Sequence, residues 1–301
     1  MHIPDGFLAT PVWLGLDAVC VPAVAYLARR AQREMDEARV PVLGVMGAFV
    51  FAAQMINFPV GVGTSGHLVG SALLTVTLGP AAAAIAMTAI LAIQALVFQD
   101  GGILALGANV FNMAIAGVLA AWLPYRWPGT KARRPAVFLA AALSVFTGAM
   151  LAILELRLSG VPMPTAVLSV SIGIFALTAL IEGAITVAVV EAIGRLSPRL
   201  IARKPAAQPG VLAGLGVAAV LLATVGAVFA STNPDGLEAF TEKIGIADHA
   251  RTLIATPFID YEAQFLSAPW LQVAAAGLVG LALVAAALWL FGRASARRRS
   301  A

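Results

Sequence analysis

The chain predicts an all-α polytopic membrane protein, and three observations carry that expectation. Hydrophobic residues fill 60% of its 301 positions, charged residues only 11%, and the mean hydropathy is +0.93. Soluble domains carry about a quarter charged residues, so this chain lacks the groups to solvate a surface in water. Second, the apolar residues fall in runs close to the roughly 20 residues that a helix needs to cross a bilayer. Third, these runs are rich in Ala, Leu and Val. They suit helices, which close their backbone hydrogen bonds internally, better than barrel strands.

Nine runs read as helices: Pro11–Tyr26, Val40–Asn57, His67–Leu78, Pro80–Phe98, Ile103–Leu123, Pro135–Leu156, Thr165–Ile193, Val211–Ala230 and Pro269–Phe291. The third is short and flanked by glycine, which predicts a tilted, broken or partly spanning element. The single cysteine, Cys20, excludes an internal disulfide and a CxxC metal site. It reads as a small packing residue, and the scattered Met46, Met55, Met87, Met113 and Met150 read likewise.

Charge sets the orientation. Four basic clusters stand out: Arg29, Arg30, Arg33, Arg39; Arg126, Lys131, Arg133, Arg134; Arg195, Arg199, Arg203, Lys204; and Arg293, Arg297, Arg298, Arg299. They follow the first, fifth, seventh and ninth runs, so alternating spans place them all on one side. Only Arg157, Lys243 and Arg251 fall opposite. The positive-inside rule puts the clusters in the cytoplasm of a bacterial inner membrane, with the N-terminus outside and the C-terminus inside. The basic tail then contacts lipid headgroups rather than nucleic acid.

The start, MHIPDGF, has no basic residue before the first apolar run, so it does not read as a cleaved signal. A retained Met1 offers a free amine beside His2. The Met1 amine and the His2 amide nitrogen close a five-membered ring on a metal, and the His2 amide and its Nδ1 close a six-membered one. Three nitrogens in a plane suit Ni(II) or Cu(II), with low-spin Co(II) also acceptable. Pro4 and the restricted Ile3 predict a stiff plug rather than a frayed end. His67, in GTSGH, sits on the same side and supplies a fourth nitrogen. His249 reads as solvated loop surface.

Other polar residues are weighed by position. Gln99, Asp100, Asn109 and Asn112 surround the outer start of the fifth run and are candidates to hydrogen-bond His2 or His67 and set the tautomer. Asp17 and Glu182 lie within apolar runs and are functional candidates of unassigned role, whereas Glu191 snorkels from a helix end. No GxxxxGK[ST], HExxH or GxSxG occurs. The chain is therefore not read as an enzyme, and uphill transport would draw energy from partners.

MHIPDGF, GTSGH and FQDGGILALGANVFNMA (98–114) together resemble the NikM/CbiM family, the substrate-binding components of energy-coupling-factor (ECF) nickel and cobalt importers. The resemblance covers residues 1–200 and implies a seven-helix bundle. It implies a metal held by the amine of Met1, the amide and imidazole of His2, and His67. After a cytoplasmic linker at 201–210, residues 211–301 resemble the two-helix NikN/CbiN accessory subunit, through Pro234, Asp235, Gly236, Leu237 and Glu238 of an external PDGLE loop. The implied function is capture of Ni(II) as transported substrate, without an organic cofactor, with Co(II) for cobalamin synthesis as the alternative. The implied partners are a transmembrane coupling subunit, two cytoplasmic ATPase subunits and membrane lipid. A membrane metal sensor or structural partner is the reading of another class.

Overall fold

The structure, a computed structural model of the chain, describes residues 2–61, 63–126, 133–201, 208–226 and 229–300. Among these residues, seven helices are long and apolar enough to cross a membrane, which makes this an integral, all-α polytopic membrane protein. Helix α1 spans Thr10–Glu34 and α2 Arg39–Gln54. A small hairpin follows, with β1 at Asn57–Gly61 and β2 at Thr64–His67. Then come α3 (Ser71–Leu78), α4 (Pro80–Ile93) with a wide π turn at Gln94–Phe98, and α5 (Leu106–Asn109). A second π segment, Val110–Ala116, joins α5 to α6 (Gly117–Tyr125). Helices α7 (Arg133–Leu158) and α8 (Thr165–Leu196) complete the first part. The second part holds α9 (Pro209–Leu221), the short α10 (Gly236–Lys243) and α11 (Pro269–Ser300).

Two expected helices are corrected. The run Val40–Asn57 stops as helix at Gln54, and the run His67–Leu78 is helical only from Ser71. Between them the chain forms an antiparallel hairpin that pairs Asn57 with His67 and Phe58 with Gly66. Pro59 lacks the N–H that would continue α2, and Gly61 and Gly63 take left-handed angles (φ 110° and 73°) to turn the strand back. His67 therefore ends a strand instead of starting a helix. Short as it is, α3 has no exposed face: every residue from Ser71 to Leu78 is buried, against α4, α6 and α7.

The core is continuous through both parts. Phe51, Leu73, Leu74, Met87 and Phe98 are fully enclosed, while Leu14, Val19, Val21 and Leu177 stay exposed on the outer faces, as lipid contact requires. Helix α11 lies on α2 through small residues. Gly44 abuts Trp289, Gly47 abuts Leu288, and Gly280 rests on Phe51 and Phe98. Small residues permit this close approach, so dispersion contacts rather than water exclusion hold the helices together in lipid. Ala81–Ala84 are buried, whereas a Cβ added at Gly210, Gly214 or Gly216 would meet no described atom within 4 Å.

Candidate metal centre

The N-terminal segment is built into the fold. Ile3 is fully buried, and Asp5 and Phe7 nearly so. The Asn109 side chain pairs with Ile3 as a strand would, accepting from the Ile3 N–H (2.8 Å) and donating to the Ile3 carbonyl (3.0 Å). The N–H of Gly102 donates to the same carbonyl at 2.9 Å. The carboxylate of Asp5 accepts from the N–H groups of Ile103, Leu104 and Ala105 at 2.8, 2.8 and 3.1 Å. These are orphan donors before α5, so the charge also suits the positive end of a helix. Gly102 is required by space, because a Cβ there would meet the Asp5 carboxylate. The plug predicted from Pro4 thus depends on residues about a hundred positions away.

This docking delivers His2. Its side chain is 5% exposed, and its Nδ1 lies 2.8 Å from Asp100 Oδ1. Its Nε2 is buried with no partner among the described residues. Asp100 reaches the ring because Gln99 takes a left-handed conformation (φ 58°) just after the π turn and reverses the chain. Burial would raise the Asp100 carboxyl, but the His2 charge and the hydrogen bonds from His2 and Tyr261 outweigh it and hold Asp100 well below the ordinary carboxylate range. Asp100 is therefore ionised and orients the imidazole.

His67 approaches from the hairpin. Its ring is parallel to that of His2 within 3°, with centroids 5.6 Å apart. Its Nδ1 lies 3.2 Å from the Leu68 carbonyl, which takes the ring N–H and assigns the lone pair to Nε2. Burial first, then neighbouring positive charge, lowers its pKa from 6.5 to about 4, so the imidazole is neutral at physiological pH and suited to a metal. The strand end behind it is clamped. Both oxygens of Glu182, fully buried on α8, accept from the N–H groups of Val69 (2.7 Å) and Gly70 (2.9 Å). Gln54 Nε2 donates to the Val69 carbonyl at 2.7 Å.

The accessory part closes the site. The N–H of Ser65 donates to the Pro234 carbonyl and its hydroxyl to the Asn233 carbonyl, both at 2.8 Å, so the PDGLE loop joins the outer edge of β2. Asp235 Oδ1 caps α10 with Glu238 in a reciprocal capping box, while Oδ2 lies 3.8 Å from His67 Nε2. The Arg251 N–H donates to the Asp5 carbonyl at 2.9 Å. Between these pieces lies a cavity of about 610 Å³, lined by His2, His67, Asp100, Asp235, Glu238 and Tyr261 among others.

The structure thus brings together His2, His67, Asp100, Asp235 and Glu238. Asn109 acts one residue away from His2, on Ile3, and Gln99 lines the cavity. Asn112 is turned elsewhere, donating to Glu155 Oε2 at 2.9 Å inside the bundle. Asp17 accepts from the Gly107 N–H at 2.8 Å. His249 is exposed, and Met1 lies outside the described residues. Sequence reasoning missed Tyr261, Gln94, Gln54 and Asp5. The two glutamines carried a visible signal, since uncharged polar side chains inside apolar runs need partners.

Family comparison decides the lineage. The family described as cobalt uptake substrate-specific transmembrane region, CbiM, matches residues 2–200. This chain belongs to the CbiM family. The PDGLE domain matches residues 209–297, so a CbiM part is fused here to a PDGLE part. The fused nickel transport protein NikMN of Rhodobacter capsulatus is 32% identical over 96% of both chains. A putative fused nickel transport protein NikMN of Archaeoglobus fulgidus is 39% identical over 73% of this chain and 74% of its own. A putative cobalt transport protein CbiM 2 of Methanocorpusculum labreanum is 34% identical over 67% of this chain and 92% of its own. A crystal structure described as a transition metal transporter is 32% identical, with a TM-score of 0.56 over 65% of this chain and 93% of that one. A role in metal transport follows for this CbiM-family chain.

Proposed function

We propose that this chain is the substrate-capture subunit of an ECF importer and that its substrate is Ni(II). The observation that carries the reading is the pair of buried, parallel imidazoles of His2 and His67, which line one cavity. No group of three His, Cys, Asp or Glu side chains among those residues is disposed to hold a metal. Two imidazoles alone bind a hydrated cation weakly, so the remaining donors are backbone nitrogens. The Met1 amine, the His2 amide, His2 Nδ1 and His67 Nε2 supply four nitrogens in one plane, a set that suits Ni(II).

Loading then turns the His2 ring over. Nδ1 now faces Asp100, and a half-turn about Cβ–Cγ exchanges the two edges of the ring. Nδ1 is released to the chelate and Nε2–H is brought toward Asp100. Withdrawing the first two residues removes three donors at once, which provides a release step. A transmembrane coupling subunit and two cytoplasmic ATPase subunits supply the energy, because this chain carries no phosphate-binding loop. The basic clusters favour an external N-terminus and a cytoplasmic C-terminus. Cobalt is the second reading, favoured by relatives named as cobalt transport proteins.

Adding one residue before Met1 tests the site. It displaces the amine from the chelate and leaves His2 in place, so equilibrium nickel binding should fall steeply. Unchanged affinity would sink the four-nitrogen centre. Nickel uptake by cells carrying the whole complex should stop when this chain is deleted, whereas a metal sensor would leave uptake intact.

A further inference from the structure

We infer that Tyr261, from the PDGLE part, is a positioning residue that locks both metal-binding imidazoles through one hydroxyl. The inference rests on the metal-capture reading above. The Tyr261 hydroxyl donates to Asp100 Oδ2 at 2.6 Å, and the other oxygen of Asp100 holds His2, by Nδ1 at 2.8 Å before loading and by the Nε2–H once the ring has turned. The same hydroxyl accepts from Gln94 Nε2 at 3.0 Å, and Gln94 Nε2 also donates to Gln54 Oε1 at 2.9 Å. Gln54 Nε2 in turn donates to the Val69 carbonyl, two residues beyond His67. One phenol therefore stands between the carboxylate that orients His2 and the chain of amides that anchors the strand end carrying His67.

Each link is used in the only direction its chemistry allows. The Val69 carbonyl only accepts, which sets Gln54 Nε2 as donor and Gln54 Oε1 as acceptor, so Gln94 Nε2 donates to the phenol and the phenol's own proton goes to Asp100. The phenol then has lone pairs for one N–H of Gln94, and the second N–H of that amide goes to Gln54. The ring is fixed independently of the hydroxyl. It stacks on Phe98 with centroids 4.7 Å apart and planes within 11°, and Phe51 packs against it at 6.2 Å. The backbone also holds unusual angles to deliver it, because Asp260 and Tyr261 are consecutive non-glycine residues in the left-handed region (φ 52° and 59°). Undocking this loop would free Asp100 to swing and would release Gln94, loosening both ligands together. Fusion to the PDGLE part then sets the affinity of the metal site through geometry, without contributing a ligand itself through Tyr261.

The test is Tyr261→Phe in the full chain, which keeps the stacked ring and deletes the hydroxyl. The expected result is about a tenfold loss of nickel affinity, the lower end for groups that orient metal ligands, with a shift in the visible absorption band of bound nickel. Thr256→Val is the control. It removes another anchor of the same loop, the hydroxyl bond to the Val97 carbonyl at 2.6 Å, and touches nothing in the relay. It should leave the band in place. An unmoved affinity and band in Tyr261→Phe overturns the inference, and so does an equal shift in Thr256→Val, which would reduce the effect to loop docking. The metal-capture reading fails separately, through a parent chain that binds no nickel or a His2→Ala variant that binds it as tightly as the parent.

Discussion

Single residues at this centre act mainly by orienting others. Asp100 is the clearest case, because it is ionised, half-buried against His2 and held by Tyr261. Asp100→Asn keeps the shape and weakens the acceptor, and nickel affinity should fall about 10- to 100-fold by equilibrium titration. Asp5 acts further back. Asp5→Ala strips three backbone N–H groups of their acceptor, at a cost of about 3 kcal/mol, so the segment carrying His2 should detach and nickel binding should weaken about a hundredfold. His67 makes a prediction about pH. Its folded pKa of about 4 lies below the ordinary 6.5, so between these values the unfolded chain binds a proton that the folded chain does not. Stability of the metal-free protein should therefore fall as pH drops through that window. Its thermal midpoint in detergent should be lower at pH 4.5 than at pH 7, and His67→Gln should shrink the difference.

At the scale of elements, interrupted helices place the ligands. The hairpin at 57–67 exists because Pro59 and the glycines around it refuse to continue α2, and its second strand ends at His67. Glu182 then fixes the turn into α3 by accepting two successive backbone N–H groups. A glutamine offers one acceptor oxygen and sets an NH2 against the other N–H. Glu182→Gln should cost about 1–3 kcal/mol, read as a lower unfolding midpoint in detergent, together with weaker nickel binding. The same logic explains the π turn at Gln94–Phe98, which ends α4 with Gln94 buried and Asp100 facing His2. Composition showed that this stretch was polar and glycine-rich. Which side chain met which backbone group depended on elements distant in the chain.

For the whole molecule, the fusion is structural as well as genetic. Helix α11 packs on α2 through Gly44 and Gly47, and the loop above it joins the edge of β2, the Asp5 carbonyl and Asp100. Removing residues 209–301 would uncover the cavity and strip Asp235 and Tyr261 from it at once. The truncated bundle should still insert in the membrane, because its own spans are apolar enough, but it should bind nickel more weakly than the intact chain. Equal affinity of the two forms would mean that the accessory part has no share in the centre.

The sequence by itself determined the class, the approximate spans and the lineage. Hydropathy and helix length are local properties, and bilayer thickness converts them into spans without knowledge of packing. It also singled out His2 and His67, because two histidines beside a proline-bearing start and a glycine-rich turn stand apart in an apolar chain. Tertiary structure decided the rest. It placed Asp100 on His2, Asp235 near His67, and Tyr261 between the two ligands, and it turned Asn112 away toward Glu155. These outcomes follow from polar groups seeking partners distant in the chain, from 43 to 168 residues away, and no local pattern encodes which partner is reached.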